Sequence, residues 1–145
     1  MKIVLMSMPD VAAVIMHESA FHMPNNGIAS IAANVDEGHQ VNIIDLIRKR
    51  NRVRQYVTRT LLKIRPQVVG LSAMAWQYKT CTQLARLIKQ LLPGVKIVIG
   101  GYHATLMYEE IAASAEAPFI DFIIRGEGEE AFRRLINALG GNDRF

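Results

Sequence analysis

Five short runs rich in valine and isoleucine, set between stretches of helical periodicity, constrain the fold of this chain more than any other feature. They are Lys2 to Met6, Gln40 to Ile44, Gln67 to Leu71, Lys96 to Ile99 and Phe119 to Ile124. Their lengths and continuous apolar content suit strands covered on both faces. The segments between them supply the cover. Ile28, Ile31, Ala32 and Val35 share one side of a helix expected over Gly27 to Val35, and Val53, Tyr56, Val57, Leu61 and Ile64 do so over Val53 to Ile64. Cys81, Leu84, Ala85, Ile88 and Leu91 form a third stripe, stopped by Pro93-Gly94. A fourth, with Phe132, Leu135, Ile136 and Leu139, runs from Glu129 to Leu139 before Gly140-Gly141. This alternation predicts an α/β fold, a doubly wound five-stranded parallel sheet in three α/β/α layers.

A chain of 145 residues, half of them hydrophobic, suits one domain that buries roughly two thirds of its unfolded surface. The single cysteine, Cys81, rules out a disulfide framework and fits a reducing compartment. The N-terminal apolar stretch reaches Pro9 too soon for a signal peptide or membrane span, so a cytoplasmic location is expected. The formal charge of +4 is unevenly spread: from Leu46 to Tyr108 there is no acidic residue, while Arg48, Arg52, Arg54, Arg59, Lys63 and Lys79 are among the bases. Such a field suits a solvated helix surface, an acidic neighbouring domain, a phosphate-bearing ligand or nucleic acid. No stacking aromatics interleave with the charges, so a nucleic-acid partner is not expected.

Strand ends carry the functional signal. Gly100-Gly101 closes the fourth run and leads into Tyr102-His103-Ala104-Thr105, leaving room beside the sheet for a flat ligand or for a tight turn. Two other loops reach that edge, Ser72-Ala73-Met74-Ala75-Trp76-Gln77-Tyr78 and Arg125-Gly126-Glu127-Gly128-Glu129-Glu130. Small residues there permit close backbone approach, and Met74, Trp76, Tyr78 and Tyr102 offer broad apolar contact. Ser72 suits either a hydrogen bond to a ligand or a helix cap. Glu129 and Glu130 suit the first turn of a helix, while Thr80 and Ser114 need no role beyond caps or solvent. The first connection, Ser7 to Asn26, exceeds the usual roughly 2–6 residues and makes a candidate lid. Its His17, Glu18 and His22 match no closed zinc motif, and no metal site is assigned. His103 lies at the ligand edge, whereas His39 belongs to a turn at the opposite end. No Walker motif or nucleophile elbow is present, and Cys81 sits in an apolar stripe, so no catalytic residue is assigned.

Four segments together resemble the N-terminal cobalamin-binding domain of B12-dependent radical SAM enzymes. They are Pro24-Asn25-Asn26-Gly27-Ile28-Ala29-Ser30-Ile31-Ala32-Ala33, Val69-Gly70-Leu71-Ser72-Ala73-Met74, Ile97-Val98-Ile99-Gly100-Gly101-Tyr102-His103-Ala104-Thr105 and Asp121-Phe122-Ile123-Ile124-Arg125-Gly126-Glu127-Gly128-Glu129. The resemblance spans almost the whole chain. It implies a flavodoxin-like sheet of strand order 2-1-3-4-5 with base-off cobalamin at its C-terminal edge. By the same resemblance, Ser72 approaches the dimethylbenzimidazole tail and Gly100 and Gly101 line the tail's slot. Met74, Gln77, Tyr102 and the turn Gly126-Glu127-Gly128 would flank the corrin or its side chains, and His103, from its place at the ligand edge, is a further candidate for contacting the cofactor.

The resemblance also implies a partner, since cobalamin in such enzymes shuttles a methyl group while a following radical SAM domain holds a 4Fe-4S cluster and S-adenosylmethionine. Residues 1–140 are then the cobalamin-binding domain, and 141–145 the start of a linker. Two departures bear on this. Cobalamin modules of methionine synthase and the mutases carry Asp-x-His-x-x-Gly after the first strand, and Asp10-Val11-Ala12-Ala13-Val14 has no such histidine. A histidine-free lower face occurs in the radical SAM branch. With one cysteine and no Cys-x-x-x-Cys-x-x-Cys, this chain cannot perform a radical step by itself. The expected function is a cobalamin-binding module of a methyltransferase-like radical SAM enzyme. The alternatives are a docking or substrate-recognition domain of the same architecture without cobalamin, and an RNA-binding role for the Arg48–Arg65 surface.

Overall fold

The computed structural model describes residues 1–10 and 25–141. His17, Glu18 and His22, most of the expected lid and residues 142–145 lie outside the described residues. Five parallel strands, β1 (Lys2–Ser7), β2 (Gln40–Asp45), β3 (Val68–Ser72), β4 (Lys96–Gly100) and β5 (Phe122–Ile123), form one sheet in the order β2-β1-β3-β4-β5. This is the expected flavodoxin-like order. Helices α1 (Asn26–Ala33), α2 (Val53–Ile64), α3 (Tyr78–Leu91), α4 (Tyr102–Leu106), α5 (Tyr108–Ala113) and α6 (Glu129–Leu139) cover it.

The two-residue period of a strand divides the core. Val4, Met6, Val69, Leu71, Ile97 and Ile99 turn to one face and pack with Val57 and Leu61 of α2 and Cys81, Leu84, Ala85 and Ile88 of α3. Ala104 of α4 and Ile111 of α5 join that layer. Ile3, Leu5, Val68 and Val98 turn to the other face, under Ile28 of α1 and Phe132 and Ile136 of α6. Cys81 is fully enclosed, and burial pushes its thiol up to about 12, which leaves it inert.

Two expectations need correction. The fifth run was expected to be strand from Phe119 to Ile124, but only Phe122–Ile123 is strand. Pro118 lacks an N–H and sits in a 3₁₀ turn, Ala117–Phe119, which delays entry into the sheet. The stretch after Gly101, read as a loop, forms α4 and α5. Each is too short to show a helical stripe in sequence.

Asp121 secures β5 from below. Its carboxylate accepts the Ile97 backbone N–H at 2.8 Å, Lys89 Nζ at 2.6 Å and Lys96 Nζ at 3.0 Å, and its own N–H donates to Ile97 O. Burial acts to raise the pKa of this carboxyl, but the three donors outweigh it and hold the group below its ordinary value of 3.8. Because the folded pKa is depressed, the stabilisation is complete above the unfolded value and disappears as pH falls through the folded one. Asp121→Asn is therefore expected to cost about 2 kcal/mol at pH 7 and to flatten the acid limb of stability below pH 4, read by urea unfolding across pH.

Candidate functional site

On the face covered by α1 and α6, two successive rows of side chains lose bulk at their centre. One row runs Leu5–Gly70–Val98 across β1, β3 and β4, and the next runs Ser7–Ser72–Gly100. The result is a slot of about 150 Å³ between sheet and helices, floored by Leu5, Gly70 and Val98 and walled by Ile28, Ile31, Ile124 and Phe132. Ser72, Gly100, Gly101, Gly126, Glu127 and Gly128 line it at the C-terminal edge.

Each glycine has a different reason to be there. A Cβ on Gly70 would lie 2.6 Å from Leu5 Cδ2 and 3.6 Å from Phe132 Cε2, so Gly70 lets Leu5 and the Phe132 ring close over β3. Gly101 has φ +94, and a Cβ there would meet the Ala73 backbone at 3.0 Å and Ser72 Oγ at 3.1 Å. It turns the chain from β4 into α4 hard against the end of β3. Gly100 is different, since the nearest atom to its absent Cβ is Ile124 O at 3.9 Å. That position opens into the slot.

Ser72 Oγ makes no hydrogen bond with any described residue and is the slot's neutral hydroxyl. Around the mouth, Thr105 Oγ1 accepts the Gly126 N–H at 2.9 Å and donates to Gly101 O at 3.0 Å, tying the third loop to the second. Ser30 of α1 donates to Glu129 of α6 at 2.6 Å, a bond that lowers the pKa of the Glu129 carboxyl. Glu130 pairs with Arg133 and Arg134, so both acids serve the first turn of α6 as expected.

Six of the ten sequence-derived site residues therefore meet in one slot, and four do not line it. Met74 and Tyr102 stand exposed at the rim, Tyr102 by 59%. The Gln77 side chain accepts the Met74 N–H at 3.0 Å and donates to Asp10 O at 2.7 Å, fastening the end of the β1 segment to the start of α3. Thr80, read as needing no special role, completes that latch by donating to Asp10 Oδ1 at 2.9 Å. His103 stacks on Tyr78, ring centroids 4.3 Å apart, toward the α3 layer. Burial depresses the His103 pKa while Glu110 opposes the shift. Sequence reasoning missed Leu5, Ile28, Ile31, Val98 and Phe132 as lining residues, because nothing in a strand's sequence says which helix covers which face. Gly70 carried a readable signal, since a glycine inside a buried strand marks close approach.

Of the seven exposed large apolar side chains among the described residues, Met74, Trp76, Tyr102, Leu106 and Met107 collect around this edge. The arrangement offers a narrow apolar slot with one hydroxyl and a broad apolar rim. It presents no nucleophile paired with a base and, among the described residues, no cluster of metal ligands.

The model of the B12 binding domain family matches residues 12–136. An uncharacterised methyltransferase of Pyrococcus horikoshii is 32% identical over 136 residues, 94% of this chain and 29% of the relative. The cobalamin-dependent radical SAM methyltransferase TokK of Streptomyces tokunonensis is 33% identical over 73 residues, 50% of this chain and 10% of that protein. Among solved structures, the radical S-adenosylmethionine methyltransferase TsrM of Kitasatospora setae, with cobalamin and a 4Fe-4S cluster bound, superposes with TM-score 0.73 at 18% identity. That match covers 98% of this chain and 27% of TsrM. The chain thus spans less than a third of the length of these relatives.

The two adjacent glycines separate shape from space. Gly101→Ala is expected to destabilise by about 1–3 kcal/mol, from backbone strain and the Ala73 contact, whereas Gly100→Ala changes stability by less than about 1 kcal/mol, both read by chemical denaturation.

Proposed function

The chain belongs to the family of B12 binding domains, and on that premise we propose that it holds base-off cobalamin as a module of a methyltransferase-like radical SAM enzyme. The observation that carries this reading is the slot over Gly70, Ser72 and Gly100. Its volume of about 150 Å³ is that of cavities known to accept a single aromatic ring, and its apolar walls suit one. An architecture that had given up its ligand would have side chains in that space. Gly100 and Gly126 instead face open room.

In this reading Leu5, Val98, Ile28 and Phe132 would hold the dimethylbenzimidazole tail, and the Ser72 hydroxyl would be its hydrogen-bond donor. Gly101, Glu127 and Gly128 shape the mouth, and their backbone groups leave the tail's sugar and phosphate room to pass. Met74 and Tyr102 flank the corrin from the rim, and Gln77 and His103 hold that rim from beneath. Cobalamin supplies methyl-group transfer, and the chain's part is to bind, orient and keep water from the tail. The relatives' greater length and the TsrM structure support a following radical SAM domain that carries the 4Fe-4S cluster and S-adenosylmethionine. The exposed apolar residues beyond the corrin, Leu106 and Met107, suit contact with that domain.

Hydroxocobalamin is expected to stay with the purified protein through desalting and to show a base-off spectrum. Gly100→Phe fills the slot and is expected to abolish retention with an unchanged far-UV circular dichroism spectrum, and Ser72→Ala to weaken binding about tenfold. Retention undiminished in Gly100→Phe would place the ligand elsewhere and overturn the assignment.

A further inference from the structure

We propose that the α2 layer, on the face of the sheet opposite the slot, binds the phosphodiester backbone of a double-helical nucleic acid. Five bases there are exposed and make no ion pair with any described residue: Arg52, Arg54, Arg59, Lys63 and Lys79. Arg52, Arg59 and Lys63 repeat at helical spacing along one side of α2, and Arg54 lies on the flank toward α3.

These bases form one continuous strip. The groove at the start of α2 is lined by Arg52, Arg54 and Arg59. It shares Arg59 with the groove between α2 and the β2 edge, where Lys2 and Lys63 add their charges. It shares Arg54 with the groove between α2 and α3, which Lys79 and Arg86 border. Among the described residues, only Arg86 of these bases has an acidic partner, Glu116 at 3.5 Å. Surfaces that serve only solubility intersperse both signs, so a single-sign strip implies a polyanion.

The chemistry of the strip selects among polyanions. A protein partner needs apolar anchors at its centre, and the exposed apolar residues gather at the C-terminal edge instead, leaving Leu62 alone on α2. A single strand needs aromatic platforms, and the ring nearest the strip, Tyr56, is half-buried beneath Lys49. The lack of stacking aromatics, which argues against single strands, places no obstacle before a duplex read by its phosphates. Arginine outnumbers lysine in the strip, and the guanidinium fork matches phosphate oxygens. The twelve residues of α2 extend roughly 18 Å, along which a duplex presents on the order of ten phosphate charges, enough for five contacts.

The test is fluorescence anisotropy with a labelled RNA duplex, a DNA duplex of the same sequence and the single strands, across a salt series. Five contacts predict a roughly 500-fold loss of duplex affinity between about 50 and 200 mM salt. Arg54→Glu/Arg59→Glu is expected to lower duplex affinity about 100-fold and to reduce the salt slope by about two. The matched reversal Arg133→Glu/Arg134→Glu on α6 is expected to change affinity by less than about threefold. Tighter binding of one duplex identifies the source, RNA or DNA. The proposal is overturned by equal loss in both variants, by single strands binding more tightly than duplexes, by poly-glutamate competing as well as nucleic acid, or by no binding at low salt. Cobalamin retention is expected to be unchanged in Arg54→Glu/Arg59→Glu, whose residues lie on the opposite face of the sheet, which keeps this outcome separate from that of the slot.

Discussion

The site depends on a shortage of side-chain volume at the centre of one sheet face. Leu5 and Phe132 close over Gly70, while Ser72 and Gly100 beside them contribute almost nothing to the space between sheet and helices. Protein interiors are close-packed, and an enclosed void of about 150 Å³ costs on the order of 3–4 kcal/mol. The slot's opening at the sheet edge makes that an upper figure. It is still a large fraction of the stability of a small domain, which is why such a space is found where something else fills it.

The rest of the architecture positions that space. Register places Ser7, Ser72 and Gly100 side by side at the ends of β1, β3 and β4, so three loops converge on one edge. The loop after β4 is folded into α4 and hydrogen-bonded through Thr105 to the Gly126 turn. The segment after β1 is held to the start of α3 by Gln77 and Thr80. Backbone freedom at Gly101 and side-chain latches at Gln77, Thr80 and Thr105 therefore do complementary work: the first sets where the chain turns, the second keep the turns in place.

Much of this was legible in the chain itself. The bounds of α2 and α6 follow from their apolar stripes, and the strand order follows from the resemblance carried by the strand-end motifs. The glycine and serine positions were readable because they break continuous apolar runs. The face each residue serves was not, because alternation separates the two faces without saying which helices lie over them. For that reason His103 and Gln77, neighbours of the slot in sequence, belong to the α3 side in space, while Phe132 and Ile28, distant in sequence, form its walls. Trp76 reads equally well as a packing residue or a surface one until its 51% exposure is seen.

The layer that roofs the slot is fastened at both ends. Near the mouth Ser30 of α1 holds Glu129 of α6, and at the far end Asn137 of α6 bonds both Asp36 and His39 in the turn between α1 and β2, with Arg133 3.9 Å from Asp36. Helices tied in this way resist being spread apart, since widening the gap breaks several polar contacts at once. Entry and exit are then lengthwise, through the edge where Gly100 and Gly126 stand. Residence time at such a site is governed by what covers that edge more than by how tightly the walls grip.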